Sequence, residues 1–513
     1  MDIKRHDGHG KKIARNAGLL YLRTLFSLSV SLFTSRVVLN VLGVEDYGVY
    51  NVVGGFVTIL SFINSSMATS TQRFLMFELG GGNKDQLSRV FNVSILIHFF
   101  IALMILLLAE TLGLWVVKEQ LILPKERMDV ALWVYQLSII TFLFNVISVP
   151  YNAAIIAYER LNVFAWISVA EVSLKLLIAY MLQFFAYDRL FSYALLICAL
   201  SVVVRVAYGV YCKLYFKDIK IKYVWDNELF SSLLKFAMWN LWGNIAVALH
   251  TQGVNILLNM FFGPIVNAAR GIAYQITGAI NGFAQNIQTA ISPQIIKSYA
   301  SNDIGYMHKL IIMGARFNYY VLFLISMPLI LETKFMLGVW LGVVPEYAEV
   351  LTRLAIVNLL IDCLSGTLMT SAQASGNIKI YQSVVGCVLL LILPVTYLML
   401  IKGYPPEASI WSSIVISIVA FVARLFIIAP LVNLSVINFF KKVVLNVGLI
   451  TVLSVPYPFT LTKIIPEGID RLVAVGVSSL LSTAIVIYLI GLASDERKFV
   501  RDFLYKSFRW SER

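Results

Sequence analysis

What most constrains this chain is the way its apolar residues are segmented. Runs of about 20 apolar residues follow one another nearly end to end, separated by short polar connections. A helix of about that length crosses the roughly 30 Å hydrocarbon core of a bilayer. In hydrocarbon every backbone N–H and C=O must find its partner inside the protein, so long apolar runs predict helices. Breaks at charge clusters, Pro and Gly divide the 513 residues into about fourteen spans. They fall near 16–42, 49–71, 91–115, 130–150, 162–185, 190–212, 235–262, 268–290, 310–331, 348–372, 380–400, 408–431, 443–462 and 471–492. The expected fold class is an all-α polytopic membrane protein.

Composition agrees. Only 13% of the residues are charged, 59% are hydrophobic, and mean hydropathy is +0.81. A soluble domain is about a quarter charged, so this chain has too little polar surface to coat a water-soluble globule. The net charge of +13 comes from basic residues in short loops, which argues against nucleic-acid binding. With the loops placed alternately on two sides, about 26 Lys and Arg fall on the side of both termini and about seven on the other. The positive-inside bias then puts both termini in the cytoplasm. The polar opening MDIKRHDGHGKK precedes an apolar run longer than a signal-peptide core, so the first run is expected to stay as a span.

Several chemistries find no support. Cys198, Cys212, Cys363 and Cys387 lie in or at the ends of apolar runs and form no C-x-x-C pair. No phosphate-binding loop and no H-E-x-x-H motif occurs. Neither a metal, a cofactor nor an enzymatic site is expected. No loop is long enough to hold a separate folded domain.

The chain also repeats itself. LGVEDYGVYNVVGG at 42–55 follows the first span, and FGPIVNAARGIAYQ at 262–275 follows the seventh. Setting Leu42-Gly43 on Phe262-Gly263 places Thr24, Ser31 and Ser35 on Asn244, Thr251 and Asn255. It also places Ser61, Ser65 and Gln72 on Asn281, Gln285 and Ser292, with Gln288 extending the second stripe. Each set lies near one helical face. A polar stripe in a span packs against another helix or lines a hydrated cavity. The stripes predict a cavity lined by Asn244, Thr251, Asn255, Asn281, Gln285, Gln288, Ser61 and Ser65. Residues 1–212 are expected as an N-lobe of spans 1–6, 213–234 as a cytoplasmic linker, and 235–431 as a C-lobe of spans 7–12. Residues 432–513 would add two further spans and a basic tail.

Ionisable residues inside spans are costly and point to function by default. Arg424, Arg471, Arg353 and Glu110 lie near span ends, where long side chains can snorkel to the headgroups. Glu171 and Lys175 are spaced to pair along one helix face. Arg205 lies inside the sixth span with no evident local partner, Arg36 and Arg270 near the outer ends of their spans and Arg23 about two turns from an inner end, where local packing or snorkelling is the alternative to a ligand role. A planar guanidinium binds phosphate oxygens through parallel hydrogen bonds, so these four are candidate pyrophosphate ligands. Lys175, Glu171, Asp362 and His250 are candidates for coupling transport to an ion.

The segment RNAGLLYLRTLFSLSVSLFTSRVVLNVLGVEDYGVYNVVGG at 15–55 resembles the opening of Wzx-type polysaccharide flippases. These belong to the multidrug/oligosaccharidyl-lipid/polysaccharide (MOP) exporter superfamily. FGPIVNAARGIAYQI at 262–276 resembles the start of that family's second lobe, and TSTQRFLMFELGGGNKDQLSRVFN at 69–92 its first long cytoplasmic loop. The resemblance implies an alternating-access carrier of two six-span lobes in a V, with two C-terminal helices. It implies a bacterial inner-membrane location and, as cargo, an oligosaccharide on undecaprenyl pyrophosphate for surface polysaccharide such as O-antigen or capsule. It further implies membrane lipids, a polysaccharide polymerase and a chain-length regulator as partners. Arg270 matches an arginine position that related flippases use on pyrophosphate, and Arg23 and Arg36 lie on the corresponding first span. A multidrug exporter of the same superfamily is the alternative, and a membrane polysaccharide polymerase or ligase a more distant one.

Overall fold

A computed structural model describes residues 2–59, 61–120, 125–184, 188–220, 222–498 and 501. Among them there are helices and no strands. The first series is α1 (Asp2–Ile59), α2 (Ser61–Gly81), α3 (Lys84–Leu108), α4 (Met128–Ala157), α5 (Leu161–Met181) and α6 (Arg189–Tyr215). The second begins with α7 (Asn227–Phe262), α8 (Pro264–Ala300), α9 (Ile304–Leu331) and the short α10 (Thr333–Leu341). It continues with α11 (Ala348–Asp362), α12 (Gly366–Ser375), α13 (Lys379–Leu390), α14 (Ile392–Ile401) and α15 (Ala408–Leu431). A final group holds α16 (Val436–Phe439), α17 (Leu445–Ser454), α18 (Pro456–Ile464) and α19 (Ile469–Val486).

The backbone carries the repeat seen in the sequence. Gly43 turns α1 with φ 80°, and Gly263 separates α7 from α8 with φ 74°. An L side chain is strained there, so glycine at both positions is a conformational requirement. Gly82 and Asn302, at φ 74° and 58°, end α2 and α8 in the same register. The helix starts Lys84 and Ile304, Met128 and Ala348, Leu161 and Lys379, and Arg189 and Ala408 keep it within two residues.

Twelve helical stretches among the described residues are long and apolar enough to cross a membrane. The two further spans expected at 49–71 and 268–290 are not among them. The first includes residue 60, which lies outside the described residues. The second lies in α8, whose Asn281, Gln285, Asn286 and Gln288 lower its apolar content. They are the second span of each series, where the polar stripes run.

The chain divides into two compact units. One comprises Met1–Ile245 with Thr289–Asp303, the other Ala246–Gln288 with Ile304–Arg513. The division falls inside α7 and α8.

In the first unit the core is built on α1, α4 and α6, where Val38, Val134, Tyr135, Ile139, Leu190 and Leu200 pack together. Tyr135 is fully buried and donates its hydroxyl to the Ala109 carbonyl at 2.7 Å. Large apolar side chains also cover the outside: Leu22, Trp166 and Val203 are more than half exposed, while Asn92, Ser94 and His98 are buried. Polar inside and apolar outside is the arrangement hydrocarbon solvent selects. Near the ends of α2 and α8 the backbones nearly touch. A Cβ built on Gly80 would stand 2.6 Å from Lys297 backbone and 2.9 Å from the Ala300 Cβ.

The corner between α4 and α5 holds a buried ionic cluster. Glu159 takes φ 58°, a left-handed conformation that costs a non-glycine residue about 1–3 kcal/mol. Its carboxylate is 4% exposed and accepts from Lys297 Nζ at 2.6 Å and Gln294 Nε2 at 2.7 Å, both on α8. Lys12 Nζ on α1 lies 2.9 Å from its other oxygen. Burial alone would raise the Glu159 carboxyl; the ammonium groups of Lys297 and Lys12 outweigh it and hold the pKa down at about 2.

In the second unit α17 and α19 are pinned to α9 by polar contacts. Arg316 donates to the Gly491 carbonyl at 3.0 Å and pairs with Glu496 at 2.7 Å. Tyr319 and Thr451 share a hydrogen bond at 2.7 Å, and the Tyr320 hydroxyl donates to Asn446. Arg471 pairs with Glu332, whose side chain is 0% exposed, at 2.9 Å.

Glu159→Gln leaves Lys297 buried without its counter-charge, and should destabilise the fold by about 3 kcal/mol. The carboxyl is held below its ordinary 4.5, so its stabilisation is present above that pH and is lost as pH falls toward 2. Melting temperatures in detergent should therefore drop between pH 5 and pH 3 in the wild type and change less in the variant.

Candidate substrate-binding site

The structure brings Thr251, Asn255 and His250 together around Arg270. It lies about two turns into α8 and is only 2% exposed. Its guanidinium donates to the Thr251 carbonyl at 3.0 Å, to Asn255 Oδ1, and to the Tyr274 hydroxyl at 3.0 Å. The same group lies 4.5 Å from the Tyr274 ring centroid. All these partners are neutral, and among the described residues Arg270 has no carboxylate. His250, one residue before Thr251, interacts electrostatically with the guanidinium. Arg270 Nε, His250 Nδ1 and Asn267 Oδ1 are buried without a hydrogen-bond partner.

The helix register makes this cluster. Thr251 and Asn255 are one turn apart on α7, and Arg270 and Tyr274 one turn apart on α8. The break at Gly263 folds the second pair back on the first. Asn267 Nδ2 closes the bend by donating to the Asn255 carbonyl at 3.1 Å.

The first unit holds the other three candidate arginines. Arg205 on α6 stacks over Tyr151 on α4, its guanidinium carbon 3.8 Å from the ring centroid. Gly209, one turn on, makes the room: a Cβ there would stand 2.8 Å from Arg205 Nη1. Arg23 on α1 is half-buried over Phe164 at 5.0 Å, and its Nε has no hydrogen-bond partner. Glu171 interacts with it electrostatically. That carboxylate is paired with Lys175 at 2.6 Å, as the i,i+4 spacing predicts. Arg36 on α1 is exposed.

The polar stripes divide between packing and exposure. Asn244 donates to Ser66 Oγ at 3.0 Å, joining α7 to α2. Gln288 donates to the Gly366 carbonyl at 2.7 Å and to Thr370 Oγ1, fixing α8 on α12. Thr251 bonds back to the Val247 carbonyl at 2.8 Å. Asn281 is half-buried, Ser65 and Gln285 are exposed, and the Ser61 side chain lies outside the described residues.

Four residues expected near headgroups are held by protein instead. Arg424 is 8% exposed and donates to Ser365 Oγ at 3.2 Å, with Asp362 as its electrostatic partner. Asp362 also accepts from Asn358 Nδ2 at 3.1 Å. Arg471 pairs with Glu332, Arg353 with Glu349 at 2.8 Å, and Glu110 accepts from Gln136 at 3.2 Å. A buried ion is cheaper when its counter-ion is in reach than when it must stretch to water. Sequence reasoning also missed Arg73, buried against the rings of Phe74, Phe77 and Phe236. A phenylalanine one residue and another four residues along were its only local signal.

No family model matches the sequence, and no curated protein matches it. Solved structures do match in fold. A MATE transporter in its bent conformation superposes with TM-score 0.72 at 12% identity, over 82% of this chain and 96% of that one. A multidrug resistance MATE transporter of the MOP superfamily, outward-facing, gives 0.68 at 13% over 82% and 96%. A MOP superfamily transporter from Pyrococcus furiosus, described as having a binding pocket of reverse polarity, gives 0.68 at 13% over the same shares. The chain therefore has a MATE-like fold.

Gly209→Ala should leave the melting temperature within about 2 °C, because only the far end of a flexible side chain has to move. It should displace the Arg205 guanidinium from Tyr151, read in a structure of the variant as a guanidinium-to-ring distance longer than 3.8 Å.

Proposed function

We propose that the chain is a membrane transporter that flips a lipid-linked oligosaccharide from the cytoplasmic to the periplasmic leaflet for surface polysaccharide synthesis. A sugar-pyrophosphate head cannot cross hydrocarbon unaided, because burying its charges and hydroxyls is prohibitive. A carrier must supply cations for the pyrophosphate and polar groups for the sugar, and alternate its access between the two leaflets.

The observation that carries this reading is Arg270: a guanidinium buried in the transmembrane series among neutral partners, with an unsatisfied Nε. An uncompensated buried cation is costly, so an anion of matching geometry is bound with corresponding gain. Pyrophosphate oxygens would take the contacts now made by Asn255 and Tyr274. Arg205, over Tyr151, is a second cation without a carboxylate partner among the described residues.

The multidrug reading rests on the fold, which the outward-facing multidrug resistance transporter shares. Export of a cation calls for an acid free to bind it. Glu110, Glu171, Glu332 and Asp362 already have basic or amide partners. That charge inventory favours the anionic cargo.

Arg270→Ala should abolish surface polysaccharide, or cut its rate by about 10–100-fold, the value of a charged hydrogen-bonding group, while the protein still inserts. Arg270→Lys should recover only part, since an ammonium lacks the planar fork. Wild-type polysaccharide in both the Arg270→Ala and Arg205→Ala strains, together with drug hypersensitivity in a deletion strain, would overturn the reading in favour of the multidrug one.

A further inference from the structure

The described part of the segment between α6 and α7, residues 216–220 and 222–226, is bound along the start of α3. Ser88 Oγ donates to the Lys220 carbonyl at 3.2 Å, and the Lys220 N–H lies 3.2 Å from the same hydroxyl. Asn92 Nδ2 donates to the Lys220 carbonyl at 2.8 Å, while its Oδ1 accepts the Lys222 N–H at 2.9 Å. One buried amide side chain thus bonds two points of the segment as a neighbouring strand would. This fixes the segment against α3 rather than leaving it a loose connector.

Charge accounting shows what the segment offers outward. Its two acids are used on α3: Asp218 pairs with Lys84 at 2.8 Å, and Asp226 lies 4.0 Å from Arg89. Lys217, Lys220 and Lys222 are exposed, and among the described residues they have no acid partner. Tyr215, Tyr223 and Trp225 stand beside them, 65%, 83% and 49% exposed. Trp225 is oriented by a stack on Phe230 at 5.3 Å and by donating to Asn227 Oδ1 at 2.7 Å.

Depth follows from α3. Ser88 and Asn92 flank the point, near residue 91, where the apolar run of that span begins. Backbone bonded there lies at the boundary of hydrocarbon and water. Lysines with tyrosine and tryptophan at that boundary match the headgroup layer. An acidic protein surface would use the lysines but gives no reason for the aromatic belt.

We propose that this clamped segment is a binding surface for anionic phospholipid headgroups, with Lys217, Lys220 and Lys222 contacting the phosphates and Tyr223 and Trp225 seated among the glycerol and upper acyl groups. The surface is independent of what the carrier transports.

The test uses the full-length protein in mixed phosphatidylcholine and phosphatidylglycerol nanodiscs, with lipids retained after release counted by native mass spectrometry. The wild type should retain phosphatidylglycerol preferentially. The combined Lys217→Gln, Lys220→Gln and Lys222→Gln variant should lose that preference by roughly tenfold or more, and the three Lys→Arg changes should keep it. Asn92→Ala should weaken it with every charge in place. Equal retention of the two lipids by the wild type, or unchanged preference in the triple Gln variant, would overturn the proposal. So would displacement of the lipid by millimolar inorganic phosphate, which would mark a phosphate site, or wild-type preference in a correctly folded Asn92→Ala protein.

Discussion

An ion in hydrocarbon must find its counter-charge inside the protein, and that constraint organises this structure. Several basic residues within or beside the spans are resolved in one of three ways. Some take an acid, as Lys175, Arg316 and Arg471 do. Some lie on aromatic faces, as Arg23, Arg73 and Arg205 do. Arg270 takes neutral hydrogen-bond partners and one ring. The first way fixes helices to one another. The last leaves attraction for an anion unused, and for that reason the functional reading centres on it.

The fold was legible where it depends on local rules. Apolar length located the helices, and the positive-φ glycines at the end of the first and seventh spans gave the repeat. Gly43 and Gly263 could be matched because each stands where only glycine is comfortable. The eighth expected span is not among the twelve, because a helix that carries a polar stripe stops resembling hydrocarbon. The compact units divide within α7 and α8. A long helix shared by two packing groups leaves no composition change to mark the division.

The site was legible in part, for a related reason. Arg270 was singled out by type and position, and its neighbours Thr251 and Asn255 by their spacing on α7. Their convergence depends on the bend at Gly263. Pairs such as Glu159 with Lys297, or Arg471 with Glu332, join residues more than 130 positions apart. No periodicity connects them. The snorkelling expected for Arg424 and Arg471 fails because that rule considers distance to water and ignores a buried acid closer at hand.

The near-contact of α2 and α8 bears on how the two halves have been free to diverge. Gly80 and Ala300 occupy the same place in the two copies of the repeat, and they meet each other. Elsewhere a change in one copy can be absorbed by that copy's own neighbours. At a point where a motif touches its own duplicate, bulk added to either side intrudes on both. Drift in side-chain size is therefore capped there at a single methyl.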